Sequence, residues 1–237
     1  MKDLVLITET PTPDVAEYPL KVEHPMPKTT MALVKDDDPQ ASYSILPPES
    51  VQTLVENHVI VYMQHGFGTH AHFTDEEYAE AGVVFEDDFT VLASLAKVLV
   101  KQTDFTEEEL EKIRPEQILF SSQNLSTLSE KALQLLLEKK AAAFAWDLLH
   151  DDEQGYIVDK IFSDQISNFG ITLALSNLLL PLLLDLLIHP KIRYALQKNP
   201  QLMQCVYCYD GTVCHQPLAD RFMLPWKDII SLCWDLN

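Results

Sequence analysis

Residues 171–188 read ITLALSNLLLPLLLDLLI, and a run this apolar belongs at the packing centre of a fold. On a helical period Asn177, Pro181, Asp185 and then His189 fall four apart, so they form one narrow stripe on an otherwise apolar cylinder. That stripe is expected to face water or another element. A membrane span is the competing reading, since about 18 apolar residues suffice. Asn177 and Asp185 would be costly in hydrocarbon, however, and Pro181 removes a mid-helix hydrogen bond. The expectation is a buried, proline-bent helix, and the chain before it must supply the surface it covers.

That upstream chain alternates two textures. MALV (31–34), VIVYM (59–63), VVF (83–85), KVLVK (97–101), ILFSS (118–122) and AAFAW (142–146) are short apolar runs that read as strands. PESVQTLVENH, TDEEYAEAG, DFTVLASLA, TEEELEKI and LSEKALQLLLEKK lie between them and read as helices. Thr74 and Thr106 each precede a glutamate by three residues, Glu77 and Glu109, which predicts two capping boxes. Gly82 stands where a helix C-cap belongs. Strands and helices in alternation with short loops give right-handed crossovers and a mostly parallel sheet covered on both faces. The fold class is therefore α/β: a three-layer α/β/α, flavodoxin-like, doubly wound domain. After Trp146 the segment DDEQGY predicts a turn leading to the Leu-rich helix. A second helix over 190–198 follows, then a hairpin in CVYCYDGTVCH turning at Asp210-Gly211, and helices close the chain.

Composition bounds the function. The 237 residues are 47% hydrophobic, enough for one large core. A formal charge of -19 repels phosphate backbones and anionic headgroups, so neither nucleic acid nor a membrane is an expected partner. No secretory leader is legible, and the expected location is the cytoplasm, as a monomer or homodimer. Cys205, Cys208, Cys214 and Cys233 do not suggest a disulfide scaffold in a chain with this much core. Residues 1–29 carry Pro11, Pro13, Pro19, Pro25 and Pro27, so they read as an extended arm or a disordered tail. Residues 30–237 read as one domain.

Three segments imitate functional sites. GFGTHA (66–71) follows a strand, precedes a helix and has Glu86 twenty residues after Gly66, like a dinucleotide fingerprint. In a true one the second glycine opens the helix, so that free amides meet the pyrophosphate. Here the capping box starts the helix near Thr74, and the segment reads as a plain turn. His65, His70 and His72 with Asp75 match no metal-ligand spacing on a defined element. Cys205, Cys208, Cys214 and His215 are a zinc set by type, but the two-residue turn puts Cys205 and Cys208 on opposite faces of a strand. No metal is expected. Neither a Walker loop nor a GxSxG elbow occurs, and Cys/His nucleophile spacing is absent.

The segment GFGTHAHFTDEEYAEAGVVF resembles, in spacing throughout, the GAGxGSxFxDxxYxxAGAxI segment of the alanine dehydrogenase and nicotinamide nucleotide transhydrogenase family. MALVKDDD resembles that family's first strand and loop, like VGIPKE. ILPPESVQTLVENHV resembles its ITPxGVxxLxxxGH helix, and KVLVKQ its KVKEP strand. Further on, LALSNLLLPLLLDL resembles ALTNATLPYxLxL, and CVYCYDGTVCHQPLADRF resembles GLNTYKGKLTHPGVAEAF. The likeness spans about residues 30–225. In the family a nucleotide-binding domain is inserted before the ALTNATLPY helix. Here FSDQIS (162–167) runs straight into NFGITLALSN. The resemblance therefore implies a substrate domain in two segments, 30–162 and 168–237, without the cofactor domain between them.

The resemblance also implies site residues. The lysine of KVKEP falls on Lys101. The arginine that grips the substrate carboxylate falls on or beside Tyr43, and no arginine precedes Arg114, so a bidentate clamp from this half is lacking. The catalytic histidine falls on Asn124, which is no general acid or base near neutral pH. Lys101, Tyr43, Gln123 and Asn124 are the expected substrate-binding group, for a small carboxylate or amino acid; the alternative for Lys101 is a plain ion pair with one of the chain's many acids. No nicotinamide cofactor is expected to bind. The expected role is a degenerate, non-catalytic binding or interaction module, with a protein partner on the surface left by the missing domain. The alternative is a subunit of an alanine dehydrogenase-type oxidoreductase that borrows a nucleotide domain from another chain.

Overall fold

The computed structural model describes residues 29–36, 43–153, 155–164, 167–189 and 191–234. The arm expected over 1–29 lies outside them, apart from Thr29. The first half of the chain runs β1 (Thr29–Val34), α1 (Pro48–Glu56), β2 (Val59–Met63), α2 (Asp75–Glu80), β3 (Val84–Phe85), α3 (Phe89–Leu95) and β4 (Val98–Lys101). It continues through α4 (Glu107–Lys112), β5 (Ile118–Ser121), α5 (Glu130–Glu138) and β6 (Ala142–Ala145). All six expected strands are present. Both capping boxes form: Thr74 accepts the Glu77 amide and Thr106 the Glu109 amide, while each glutamate carboxylate accepts the threonine amide. Each box satisfies amides that the first helical turn leaves without partners.

The five longer strands pair in parallel in the order β2-β1-β4-β5-β6, which is the doubly wound order, with the two-residue β3 outside β2. Past β6 come the small hairpin β7 (His150–Asp151) and β8 (Gly155–Tyr156), then α6 (Ile157–Ser163) and α7 (Asn168–Ile188). They are followed by α8 (Ile192–Lys198), α9 (Pro200–Cys205), β9 (Val206–Tyr209), β10 (Thr212–Val213), α10 (Gln216–Phe222) and α11 (Ile229–Trp234). β9 adds to β6 antiparallel and β10 to β9, completing an eight-stranded sheet. The hairpin turns at Asp210 and Gly211, with φ of 46° and 75°, the two positive values a type I′ turn requires.

Strand alternation splits the core. Met31, Leu33, Val100, Phe120 and Phe144 face α1 and α7, and Ala32, Val34, Leu99, Leu119 and Ala143 face α3, α4 and α5. α7 is long and apolar enough to cross a membrane, and it packs along the first of these faces. Leu175, Leu179, Leu182, Leu183 and Leu186 are buried, while Leu173, Asn177, Pro181 and Ile188 form the exposed side. Its buried polar groups are bonded: Thr172 Oγ1 accepts the Ser44 amide at 3.1 Å, and Ser176 Oγ lies 2.6 Å from Ser50 Oγ. At its end the His189 carbonyl accepts from Lys97 Nζ at 3.1 Å and the Leu187 carbonyl from Thr29 Oγ1 at 2.9 Å. A cation there also complements the helix dipole.

Two details depart from the sequence reading. IVDKIFS forms α6, where only a turn was expected, because Val158 finds a buried seat that local pattern cannot reveal. Cys205 ends a helix, where a strand residue was expected. Cys205 and Cys208 still fall on opposite sides of the sheet, as the short turn predicts.

Candidate functional site

The order of the parallel strands reverses between β1 and β4, so the crevice beyond their carboxyl ends is where a doubly wound sheet places ligands. Lys101 closes β4 there, in register with Val34 on one side and Ser121 on the other. It is 6% exposed, and its Nζ donates to both carboxylate oxygens of Glu109, at 2.9 and 2.8 Å. The same carboxylate accepts the Thr106 amide, so the capping box that starts α4 also fixes the acid over the lysine. Phe105 adds an apolar wall, its ring centroid 5.9 Å from Nζ. Ser121 Oγ, buried beside this pair, has no hydrogen-bond partner among the described residues.

The loop after β5 carries the next groups. Asn124 Oδ1 accepts the amide and the hydroxyl of Ser126, at 3.0 and 2.6 Å, and the Asn124 amide donates to Asp104 at 3.1 Å. Asn124 is thus a turn residue whose acceptor is spent locally. Gln123 is 4% exposed; its side chain bonds Asp104 and its amide bonds Asp147. Ser122 Oγ donates to Asp147 at 2.6 Å. Burial pushes both Asp104 and Asp147 above the usual carboxylate range, and these hydrogen bonds offset it only in part.

A cleft of about 570 Å³ opens on this loop, lined by Ser122, Gln123, Asn124, Asp147, Asp159 and His215 among others. Gln123 and Asn124 therefore share one cavity. Lys101 does not line it, being turned to Glu109. Tyr43 packs edge-on against Phe162, ring centroids 5.2 Å apart, and does not line it either. Sequence reasoning missed Asp104, Asp147 and Asp159. A carboxylate just past the end of a strand, as Asp147 is past β6, was the available signal.

GFGTHA is a turn most of whose amides are already used. Gly66 donates to Asp75 at 2.8 Å, the Phe67 amide to the Gln64 carbonyl, and the Thr69, Ala71, His72 and Phe73 amides to carbonyls of the segment itself. A Cβ on Gly68 would collide with the Tyr78 ring and come within 2.9 Å of Phe73 Cβ, so that glycine serves close packing of the Tyr78 side chain. With most of these amides taken and α2 starting only at Asp75, the segment lacks the glycine-opened helix N-terminus that a dinucleotide pyrophosphate needs. Of the histidines, His65 stacks on Phe85 and bonds Asp87 at 2.9 Å.

Comparison with known proteins adds one decisive match: the family described as alanine dehydrogenase/PNT, N-terminal domain, covers residues 39–163. The chain belongs to this family. A search of curated proteins returned no match. Among solved structures, an L-alanine dehydrogenase aligns at TM-score 0.51 with 22% identity, over 57% of this chain and 37% of the other. A transhydrogenase from Sinorhizobium meliloti aligns at TM-score 0.46 with 21% identity, over 51% and 35%. The chain thus spans well under half the length of these two relatives, and at such identity the first likeness concerns the fold alone. As an alanine dehydrogenase/PNT N-terminal domain, the chain passes from α6 to α7 within residues 163–168, with no room between them for a further domain.

Proposed function

We propose that this chain is a catalytically degenerate alanine dehydrogenase-like substrate domain acting as a non-catalytic binding or interaction module in the cytoplasm. The observation that carries the reading is the Lys101–Glu109 pair. The lysine that the family resemblance assigns to substrate is buried and neutralised by a carboxylate of its own chain, so it offers no free charge to a small carboxylate. Asn124 stands where the resemblance places a catalytic histidine, and its side chain serves its own turn. Two tests apply to the purified chain: calorimetry with NADH, and a pyruvate-plus-ammonia assay. The expected result is neither binding nor turnover. Micromolar NADH affinity, or turnover above a Lys101→Ala control, would overturn it.

A second reading, an oxidoreductase subunit that borrows its nucleotide domain from another chain, is favoured by one observation. Phe162 and Phe169, 40% and 57% exposed, flank the short α6–α7 join, at the position where the resemblance places the family's second domain. Exposed aromatics at one locus suit a protein partner. Turnover that appears only when such a partner is added would favour this reading.

A further inference from the structure

We infer that the cleft beside the β5 loop is a binding site for a small ligand bearing a primary ammonium group, and that it rejects carboxylates. This rests on reading the chain as a binding module and names the class of ligand. About 570 Å³ is the size of a small-molecule pocket. Its walls come from separate parts of the fold: the loop after β5, Asp147 after β6, Tyr156 and Asp159 around the start of α6, and His215 at the N-cap of α10. Such a cavity is assembled by the whole domain.

Its electrostatics have one sign. Asp147 and Asp159 line it, and the Asp147 carboxylate feels Asp104 and Asp159 as neighbouring negative charges. Among the described residues no ion pair reaches Asp104, Asp147 or Asp159, and no lysine or arginine lines the cleft. Lys101 is committed to Glu109, though its charge also favours ionised Asp104, and Arg221 to the Leu125 carbonyl at 2.9 Å and the Phe222 ring; Lys160, which follows Asp159 in the chain, does not line the cleft. His215 Nδ1 accepts the Leu218 amide at 3.3 Å and burial holds the ring below its usual range, so near neutral pH it adds no positive charge. Asp147 is half-buried with no cation bonded to it, which is costly for a carboxylate, and an ammonium group donating to it and to the exposed Asp159 relieves that cost. Tyr156, 54% exposed, lines the same cleft, and an aromatic ring is a favourable neighbour for an ammonium group.

The test is calorimetric titration of the full chain with putrescine, and with succinate as its four-carbon dianionic counterpart. Saturable 1:1 binding of putrescine is expected, with no heat from succinate. Asp159→Asn, at an exposed position that folding tolerates, should weaken putrescine about five-fold, the worth of one partly solvated ion pair. Glu76→Gln on the distant α2 should leave the affinity unchanged. Absence of saturable putrescine binding, equal weakening by both variants, or saturable succinate binding would each overturn the inference. NADH turnover would overturn the non-catalytic reading and leave this result standing.

Discussion

Lys101 Nζ stands 2.9 and 2.8 Å from the two carboxylate oxygens of Glu109, and both side chains are largely withdrawn from water, 7% and 18% exposed. Removing one member strands the other. Glu109→Gln keeps the capping box, since glutamine also serves at that position, yet leaves the ammonium buried with a neutral partner. The expected loss is about 3 kcal/mol in urea denaturation. A change under about 0.5 kcal/mol would mean that Lys101 is solvated in solution.

Leu183 lies fully buried between α7 and the sheet. Leu183→Ala should cost about 2 to 5 kcal/mol. The same measurement on Asn177→Ala, on the exposed side of the helix, should move stability by no more than about 0.5 kcal/mol. Equal effects would contradict the packing direction described above.

Burial raises Asp147 above its ordinary 3.8, and this sets a pH dependence of definite sign. Between 3.8 and the higher folded value the native state holds the proton more tightly than the unfolded chain, so stability falls as pH rises through that window. Asp147→Asn keeps an acceptor for Ser122 and cannot ionise. It should therefore gain stability relative to the parent at pH 7, with the gain vanishing near pH 3. A variant that is less stable at pH 7 by the same margin as at pH 3 would refute this.

Gly68 approaches the Tyr78 ring so closely that a methyl group has no space. Gly68→Ala should destabilise by about 1 to 3 kcal/mol. Because α2 starts well past Gly68 and most of the turn amides are already bonded, the variant should leave NADH calorimetry as featureless as the parent. A loss of cofactor binding in the variant alone would restore the fingerprint reading.

These residues also show what the sequence could and could not reveal. Thr74, Thr106 and the Asp210-Gly211 turn act through bonds within three residues of themselves, so spacing alone specifies them. The apolar run of α7 identified the core because its burial follows from composition. That Lys101 could pair with an acid was legible from the abundance of carboxylates, but Glu109 as the partner was not: it depends on the path of the β4–α4 loop, which returns a residue eight positions later to the strand end. The cleft was hidden for the same reason at longer range, since Asp147 and His215 meet only after β9 has joined the sheet. Tyr43 and Lys101 were grouped by resemblance, and the fold gives them different neighbours.

The α6–α7 join also has a mechanical meaning. The segment before it supplies β1 to β6, and the segment after it returns to that sheet twice, as α7 against β1 and as β9 against β6. Neither attachment needs the covalent link between Ser163 and Asn168. The peptide there is a suture holding two pieces that already grip each other, so a chain cut at that point should stay assembled as a two-fragment complex.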